Sequence, residues 1–367
     1  MRSRNALEMD GIRYEDAGTD DVLEACTGAP ERLSDDLEAE PHLLIGIVGR
    51  RGAVHRDRRR ACDVHVLACH DRTAVAHDRL VGRVSGDRAA LHGATTIARV
   101  QALRQIDAWP VPFAAAGVVR PKAEPIVHGD SRRVVPLASV SKPVTALALL
   151  VAAEEGVVDL DDPAGPPGST VRHLLAHASG LPFEGTTPIA PPGRRRVYSN
   201  EGFRALGAHL EERAEMGVAD YVRAAVCDPL GIGLDPEGDP GSGMRASLAD
   251  VLALARELLA PRLVADETSD EMRDVQFSGL PGVLPDWGRF DPLDWGLGVQ
   301  LNTPEPTWMG ARASRRAFGH FGGSGTFLWV DPEAGVACVA LAEREFGDWA
   351  KSAWPALSDA VLADSAC

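Results

Sequence analysis

The stretch Leu137-Ala138-Ser139-Val140-Ser141-Lys142-Pro143, running into the apolar segment 144–151, decides how the rest of the chain is read. It contains Ser-x-x-Lys, with Ser139 three residues before Lys142. Val144, Leu147, Ala148 and Val151 fall at the spacing of one helix face, Pro143 suits a first turn, and Gly156 is a fitting stop. The pattern predicts a helix beginning near Ser139, with Ser139 and Lys142 on one face. A serine at a helix N-terminus lies beside free backbone N–H groups, and an amine one turn along can take its proton. A nucleophile, a base and part of an oxyanion site thus fit within four residues.

By itself the motif carries little. The lysines are Lys122, Lys142 and Lys351, and a serine three positions before one of them arises by chance in about one chain in five. A surface lysine on an amphipathic helix explains the motif equally well, so other segments must decide.

The chain of 367 residues has a formal net charge of −15, which argues against a nucleic-acid partner. No apolar run approaches the length of a membrane span, and residues 1–18 lack the apolar core of a secretory signal. Cys26, Cys62, Cys69, Cys227, Cys338 and Cys367 are scattered without a disulfide framework, which fits reduced thiols and a cytoplasmic location.

Residues 1–97 differ from all that follows. They contain no Phe or Trp and only Tyr14, and they include an arginine-dense run at 50–60. Only 43–48 reads as a strand. So little apolar area does not offset the ordering entropy of the segment. The preferred reading is a poorly ordered extension, with a start codon assigned too far upstream as its simplest origin. A basic arm for an acidic partner is one alternative. A small metal site on Cys62, His65, Cys69 and His70 is another, although no flanking core or second knuckle accompanies it.

A folded domain is expected over 98–367. Val100, Leu103, Ile106 and Trp109 mark a short helix. Strand-like segments at 114–119 and 125–127 precede the Ser139 helix, and others follow at 295–301, 326–330 and 336–341. Helical patterns occupy 171–178, 201–214, 218–226, 248–259 with Ser247 as N-cap, and 350–362. This order suggests an α/β (α+β) fold: a mainly antiparallel sheet covered by helices, with an all-helical lobe inserted at 160–291.

Two further sites stand beside Ser139 and Lys142. One is Tyr198-Ser199-Asn200, in a loop before a helix; the other is Gly319-His320-Phe321-Gly322-Gly323-Ser324-Gly325-Thr326, a glycine-rich turn leading into a strand. In this order, the three motifs resemble those of the penicillin-recognising serine hydrolases: class C β-lactamases, D-alanyl-D-alanine carboxypeptidases and esterases of the same fold, a group marked by Ser-x-x-Lys. The resemblance runs from about residue 101 to 362. It takes in Val171-Arg172-His173-Leu174-Leu175-Ala176-His177-Ala178-Ser179-Gly180-Leu181 and Trp295-Gly296-Leu297-Gly298.

The resemblance implies a β-lactamase/transpeptidase-like fold with a five-stranded antiparallel sheet. It also implies a role for each matching position. Ser139 would attack a carbonyl to form an acyl-enzyme, with Lys142 and Tyr198 as base and proton shuttle. Asn200 would hydrogen-bond the substrate, His320 would sit near the leaving side, and Gly322 and Gly323 would border the substrate. The backbone N–H groups of Ser139 and Gly323 would form the oxyanion hole.

The third motif departs from the Lys-Thr-Gly usual in β-lactamases. His320 is near half-charged at about pH 6.5 if unperturbed, and Phe321 removes a hydroxyl that helps to hold a substrate carboxylate. The expectation is therefore a soluble hydrolase of small, uncharged esters or amides, needing no metal or organic cofactor. The alternatives are a β-lactamase or D-alanyl-D-alanine carboxypeptidase, or a catalytically idle ligand-binding member of the fold. His173 and His177 have zinc-compatible spacing but no accompanying glutamate, and read as structural; Glu201 reads as a first-turn helix residue.

A chain beginning near Val100 is expected to fold and to keep its activity. Thermal denaturation and ester turnover of that truncated chain check this, and an insoluble or inactive product would mean that residues 1–97 complete the core.

Overall fold

A helix that is apolar all round must be buried on every side. In the computed structural model, which describes residues 101–365, helix α1 (Ser141–Glu154) meets this condition: every side chain from Ser141 to Leu150 is buried. Ser139 lies just before it, in a 3-10 turn at Ala138–Val140, so the helix starts two residues later than predicted. The two side chains of the Ser-x-x-Lys motif still meet, because residues i and i+3 eclipse in a 3-10 turn. The expectations for residues 1–97 lie outside the described residues.

Before α1 come a helical segment at 101–108, whose second part, Arg104–Ala108, is a 3-10 turn, and strands β1 (Ala114–Val119), β2 (Ile126–His128) and β3 (Val135–Pro136). After it follow α2 (Val171–Leu175), α3 (Asn200–Ala214), α4 (Val218–Val222) and a π-helical segment at Arg223–Cys227. Then come β4 (Arg245–Ala246), α5 (Leu248–Leu259), α6 (Asp266–Arg273), β5 (Gly282–Leu284) and β6 (Gly288–Phe290). The chain closes with β7 (Gln300–Leu301), β8 (Phe318–Gly322), β9 (Thr326–Asp331), β10 (Val336–Ala342) and α7 (Asp348–Ala363).

The main sheet has the order β2-β1-β10-β9-β8-β7, and all of its pairings are antiparallel. Strand β10 shows how the sheet divides the core. Ala337, Val339 and Leu341 face the layer of α1 and α5, while Val336, Cys338, Ala340 and Ala342 face the layer of α7. Alternate residues of a strand point to opposite faces, so a strand buried on both sides reads as a continuous apolar run.

The sheet has six strands rather than the five expected. The additional strand is β8, the Gly319-His320-Phe321-Gly322 segment itself, which its glycines disguised as a turn. Those glycines are spacers. A Cβ on Gly319 would come within 2.1 Å of the Leu328 carbonyl oxygen, and one on Gly322 within 2.3 Å of the Leu137 carbonyl oxygen. In the segment 295–301, by contrast, only Gln300 and Leu301 form a strand. Gly298, at φ 76°, turns the chain against α1, where a Cβ would stand 2.3 Å from that of Ala146. The inserted lobe is not all-helical either: β4 pairs with β3, and β5 with β6, as two small ribbons.

Local signals held well elsewhere. Ser247 caps α5 in a full capping box with Asp250, and Ser199 caps α3 by accepting from the Gly202 N–H at 2.8 Å.

Gly319→Ala is expected to cost about 2 kcal/mol, as backbone and strand shift to admit the methyl group. Gly323→Ala, which meets open space at a non-positive φ, should change stability by less than about 0.5 kcal/mol. Chemical denaturation of both variants checks the contrast; equal effects would contradict the spacer role.

Candidate active site

Several segments converge on one cavity of about 280 Å³. Ser139, Tyr198, Asn200, His320 and Gly323 line it, together with Phe183, Trp295, Phe321 and Phe346. The 3-10 turn that carries Ser139 is held from both sides. The Ser141 hydroxyl donates to the Ala138 carbonyl at 2.7 Å, and that of Thr326 donates to the Leu137 carbonyl at 2.9 Å. Ser324 donates to the Pro136 carbonyl at 2.8 Å, tying the β8–β9 connection to the same turn. Ala138 has φ 46°, a left-handed conformation that costs a non-glycine residue on the order of 1 kcal/mol and persists only where the surroundings impose it.

Lys142 lies directly behind Ser139 and is fully buried. Its Nζ is 3.3 Å from Ser139 Oγ, 2.7 Å from Asn200 Oδ1 and 3.0 Å from the Gly241 carbonyl oxygen. The rings of Tyr198 and Phe203 lie 4.7 and 5.3 Å from it. Burial lowers its pKa from the ordinary 10.5 to about 7; Asp239 pulls it up, Arg204 pushes it down and Glu184 pulls it up. Removal from water is thus the leading cause, and it places the amine where neutral and charged forms coexist near pH 7.

Asn200 holds this arrangement rather than standing open. Its oxygen accepts from Lys142, and its amide nitrogen donates to Glu184 Oε1 at 3.3 Å. Arg204, one turn further along α3, joins Glu184, Glu201 and Asp239, and Asp239 shapes the turn that presents the Gly241 carbonyl by accepting from the Gly241 N–H at 2.8 Å. Glu201 is the first-turn helix residue expected.

His320 stands differently from its expectation. It is buried, and removal from water, reinforced by the neighbouring Lys142, lowers its pKa to about 3. The imidazole is therefore neutral at ordinary pH, not half-charged at about pH 6.5. The Phe321 carbonyl lies 2.7 Å from its Nδ1, which makes Nδ1 the donor and leaves Nε2 to accept from the Tyr198 hydroxyl at 3.5 Å. Phe321 packs on Trp308, Phe346 and Trp354 and is mostly buried, so its ring serves the core as well as bordering the cavity. Gly322 does not line the cavity but lies against the Ser139 turn.

His177 is buried beside the Tyr198 loop, as expected of a structural histidine. Its Nδ1 accepts from the Ser199 N–H at 3.2 Å, and its ring stacks among Tyr198, Phe203 and Trp295. Arg196, buried two residues before Tyr198, donates to the carbonyls of Leu293, Ala176, Gln276 and Phe277 and so pins the same loop. His173 stacks on Phe277 and bonds Thr170. Among the described residues, no group of three or more His, Cys, Asp or Glu side chains is disposed to hold a metal ion.

The sequence reading missed Glu184, Arg204, Asp239 and Gly241. Asp239-Pro240-Gly241-Ser242-Gly243 is legible as a turn, but nothing local says that the turn faces Lys142.

The family model described as Beta-lactamase matches residues 106–362, which include all of these segments. The chain belongs to the beta-lactamase family. A crystal structure of a beta-lactamase from Mycobacterium bovis is similar to it at 49% identity, covering 72% of this chain and 100% of that one, with a TM-score of 0.71. EstCE1, described as a hydrolase with promiscuous acyltransferase activity, shares the fold at 20% identity over 73% of this chain and 99% of that one, with a TM-score of 0.58. Penicillin-binding protein 4* of Bacillus subtilis is 30% identical over 129 residues, a match covering 26% of this chain and 29% of that protein. No helix among the described residues is long and apolar enough to cross a membrane.

Proposed function

We propose that this member of the family is a serine hydrolase that forms an acyl-enzyme on Ser139 and cleaves a small ester or amide. One observation carries the reading: a buried lysine amine, brought to a pKa of about 7, lies 3.3 Å from a serine hydroxyl at the foot of a cavity. In this scheme Ser139 Oγ attacks the acyl carbon and its proton passes to neutral Lys142. The carbonyl oxygen becomes an oxyanion facing the backbone N–H groups of Ser139 and Gly323. As the tetrahedral adduct collapses, the bond to the leaving alcohol or amine breaks and that group takes the proton, through Tyr198. Water then attacks the ester on Ser139, gives a proton back by the same route and releases the acid.

Neutral His320 accepts the Tyr198 hydroxyl's hydrogen and so fixes the phenol oxygen with its lone pairs free to take up the proton that is passed on. Asn200, held by Lys142 and Glu184, meets the substrate with whatever hydrogen-bonding capacity those contacts leave. No metal or organic cofactor enters the scheme, and the partner is a small molecule alone. A cytoplasmic location belongs to the same proposal; Cys227 and Cys338, buried as free thiols, suit a reducing compartment.

A β-lactam-directed reading draws support from the name of the Mycobacterium bovis relative. The cavity favours the ester or amide reading, because among the described residues no lysine or arginine lines it to receive a substrate carboxylate.

Intact-protein mass spectrometry after treatment with a fluorophosphonate or p-nitrophenyl butyrate is expected to show one covalent adduct, absent from Ser139→Ala. A label that persists in that variant would remove Ser139 as the nucleophile.

A further inference from the structure

The cavity that holds Ser139 has an unusual charge pattern. Its charged lining residues are Asp286 and Glu345, both carboxylates and both exposed at the mouth. Neither carboxylate has a hydrogen-bond or ion-pair partner among the described residues. Glu345 engages its neighbours through its main chain, whose carbonyl accepts from Trp349 Nε1 at 2.8 Å. Asp286 sits at φ 63° in the turn between β5 and β6, and partial burial raises its pKa. Lys351 acts on Asp286 through space, but its ammonium pairs with Asp348 at 3.5 Å, and Arg344, the residue before Glu345, donates to the Pro110 carbonyl at 2.5 Å. The mouth therefore keeps a net negative charge.

The walls supply the second half of the pattern, independently of the carboxylates. The rings of Phe183, Tyr198, Trp295 and Phe346 face the same space. The acidic and aromatic parts are joined: the Phe346 N–H donates to the Gly323 carbonyl at 2.8 Å, and Trp287, next to Asp286, stacks on Phe346 at 6.3 Å. A positive group placed here would meet ring faces on its sides and carboxylates at its outer end, while the scissile carbonyl reaches Ser139. Aromatic faces attract cations through their quadrupoles, and they do so most strongly where water is displaced.

We propose that the natural substrate is an ester or amide bearing a positively charged group, an ammonium or quaternary ammonium, which the aromatic walls and the Asp286–Glu345 rim select. The inference rests on the serine-hydrolase reading of the same cavity and adds its substrate class. The contacts are additive to those at the reacting carbonyl, and together they reject the carboxylate of a β-lactam by like charge.

Two isosteric pairs test it. One is butyrylthiocholine against S-(3,3-dimethylbutyl) thiobutyrate; the other is p-nitrophenyl 6-aminohexanoate against p-nitrophenyl heptanoate. At low ionic strength, kcat/KM for the cationic member of at least one pair is expected to exceed that of its neutral partner by about fivefold. That ratio should fall in 0.5 M salt, where exposed charges are screened, and fall toward one in Asp286→Asn/Glu345→Gln. Ratios at or below one in both pairs, or a ratio that ignores the double substitution, would overturn the inference. Ser139-dependent hydrolysis of the neutral esters with no cationic preference sinks this inference and leaves the hydrolase reading standing; no Ser139-dependent turnover of any of the four compounds sinks both.

Discussion

A lysine taken wholly out of water keeps its proton only as far as nearby acceptors offset the lost hydration. Around Lys142 the acceptors are few and mostly neutral: an amide oxygen, a backbone carbonyl and a serine hydroxyl, with Asp239 and Glu184 acting only from a distance. The fall from 10.5 to about 7 corresponds to a cost on the order of 5 kcal/mol for holding the charge at that place. Most of the surrounding structure serves to keep this amine dry and aimed. Helix α1 is buried on all sides, the Asp239 turn closes over Nζ, and Gly322 lets β8 lie directly on the turn that presents Ser139. A single carboxylate in contact with Nζ would raise its pKa and abolish the neutral amine at pH 7.

The fold was largely legible because its main elements carry period-two or period-3.6 apolar patterns together with local stop and start signals. Strand β10 and helix α5 are examples, the first through its unbroken apolar run and the second through Ser247 and Asp250. What escaped was set by contacts distant in sequence. The glycines of β8 lower its strand propensity, yet they are required because carbonyl groups of Leu328 and Leu137 occupy the space of a side chain. Gly298 ends a strand-like run for the same kind of reason, since α1 lies where its Cβ would be. Propensity describes a residue on its own, and these positions answer to their neighbours.

The site divides in a similar way. Ser139, Lys142, Tyr198, Asn200, His320 and Gly323 could be picked out because they fall in short motifs, and the structure brings all six together. The network of Glu184, Arg204 and Asp239 could not, since its members come from three segments with no shared motif. The protonation of His320 was misjudged because burial is a property of the tertiary structure: with its surroundings dry and Lys142 nearby, the imidazole stays neutral down to about pH 3. Its contribution is then a fixed acceptor for Tyr198 and not a titrating charge.

The sign of the Lys142 effect gives the central claim a sharp observable. A base whose folded-state pKa is depressed binds fewer protons than in the unfolded chain between about pH 7 and 10.5, so stability rises with pH across that window, and the free amine becomes available as pH rises through about 7. With Lys122, Lys142 and Lys351 the only lysines, NMR titration of protein carrying 13C-labelled lysine Cε resolves the site directly, the Lys142 resonance being assigned by its loss in Lys142→Met. The account predicts a midpoint near pH 7 for that resonance in the folded protein; a midpoint at the ordinary lysine value of 10.5 would contradict it.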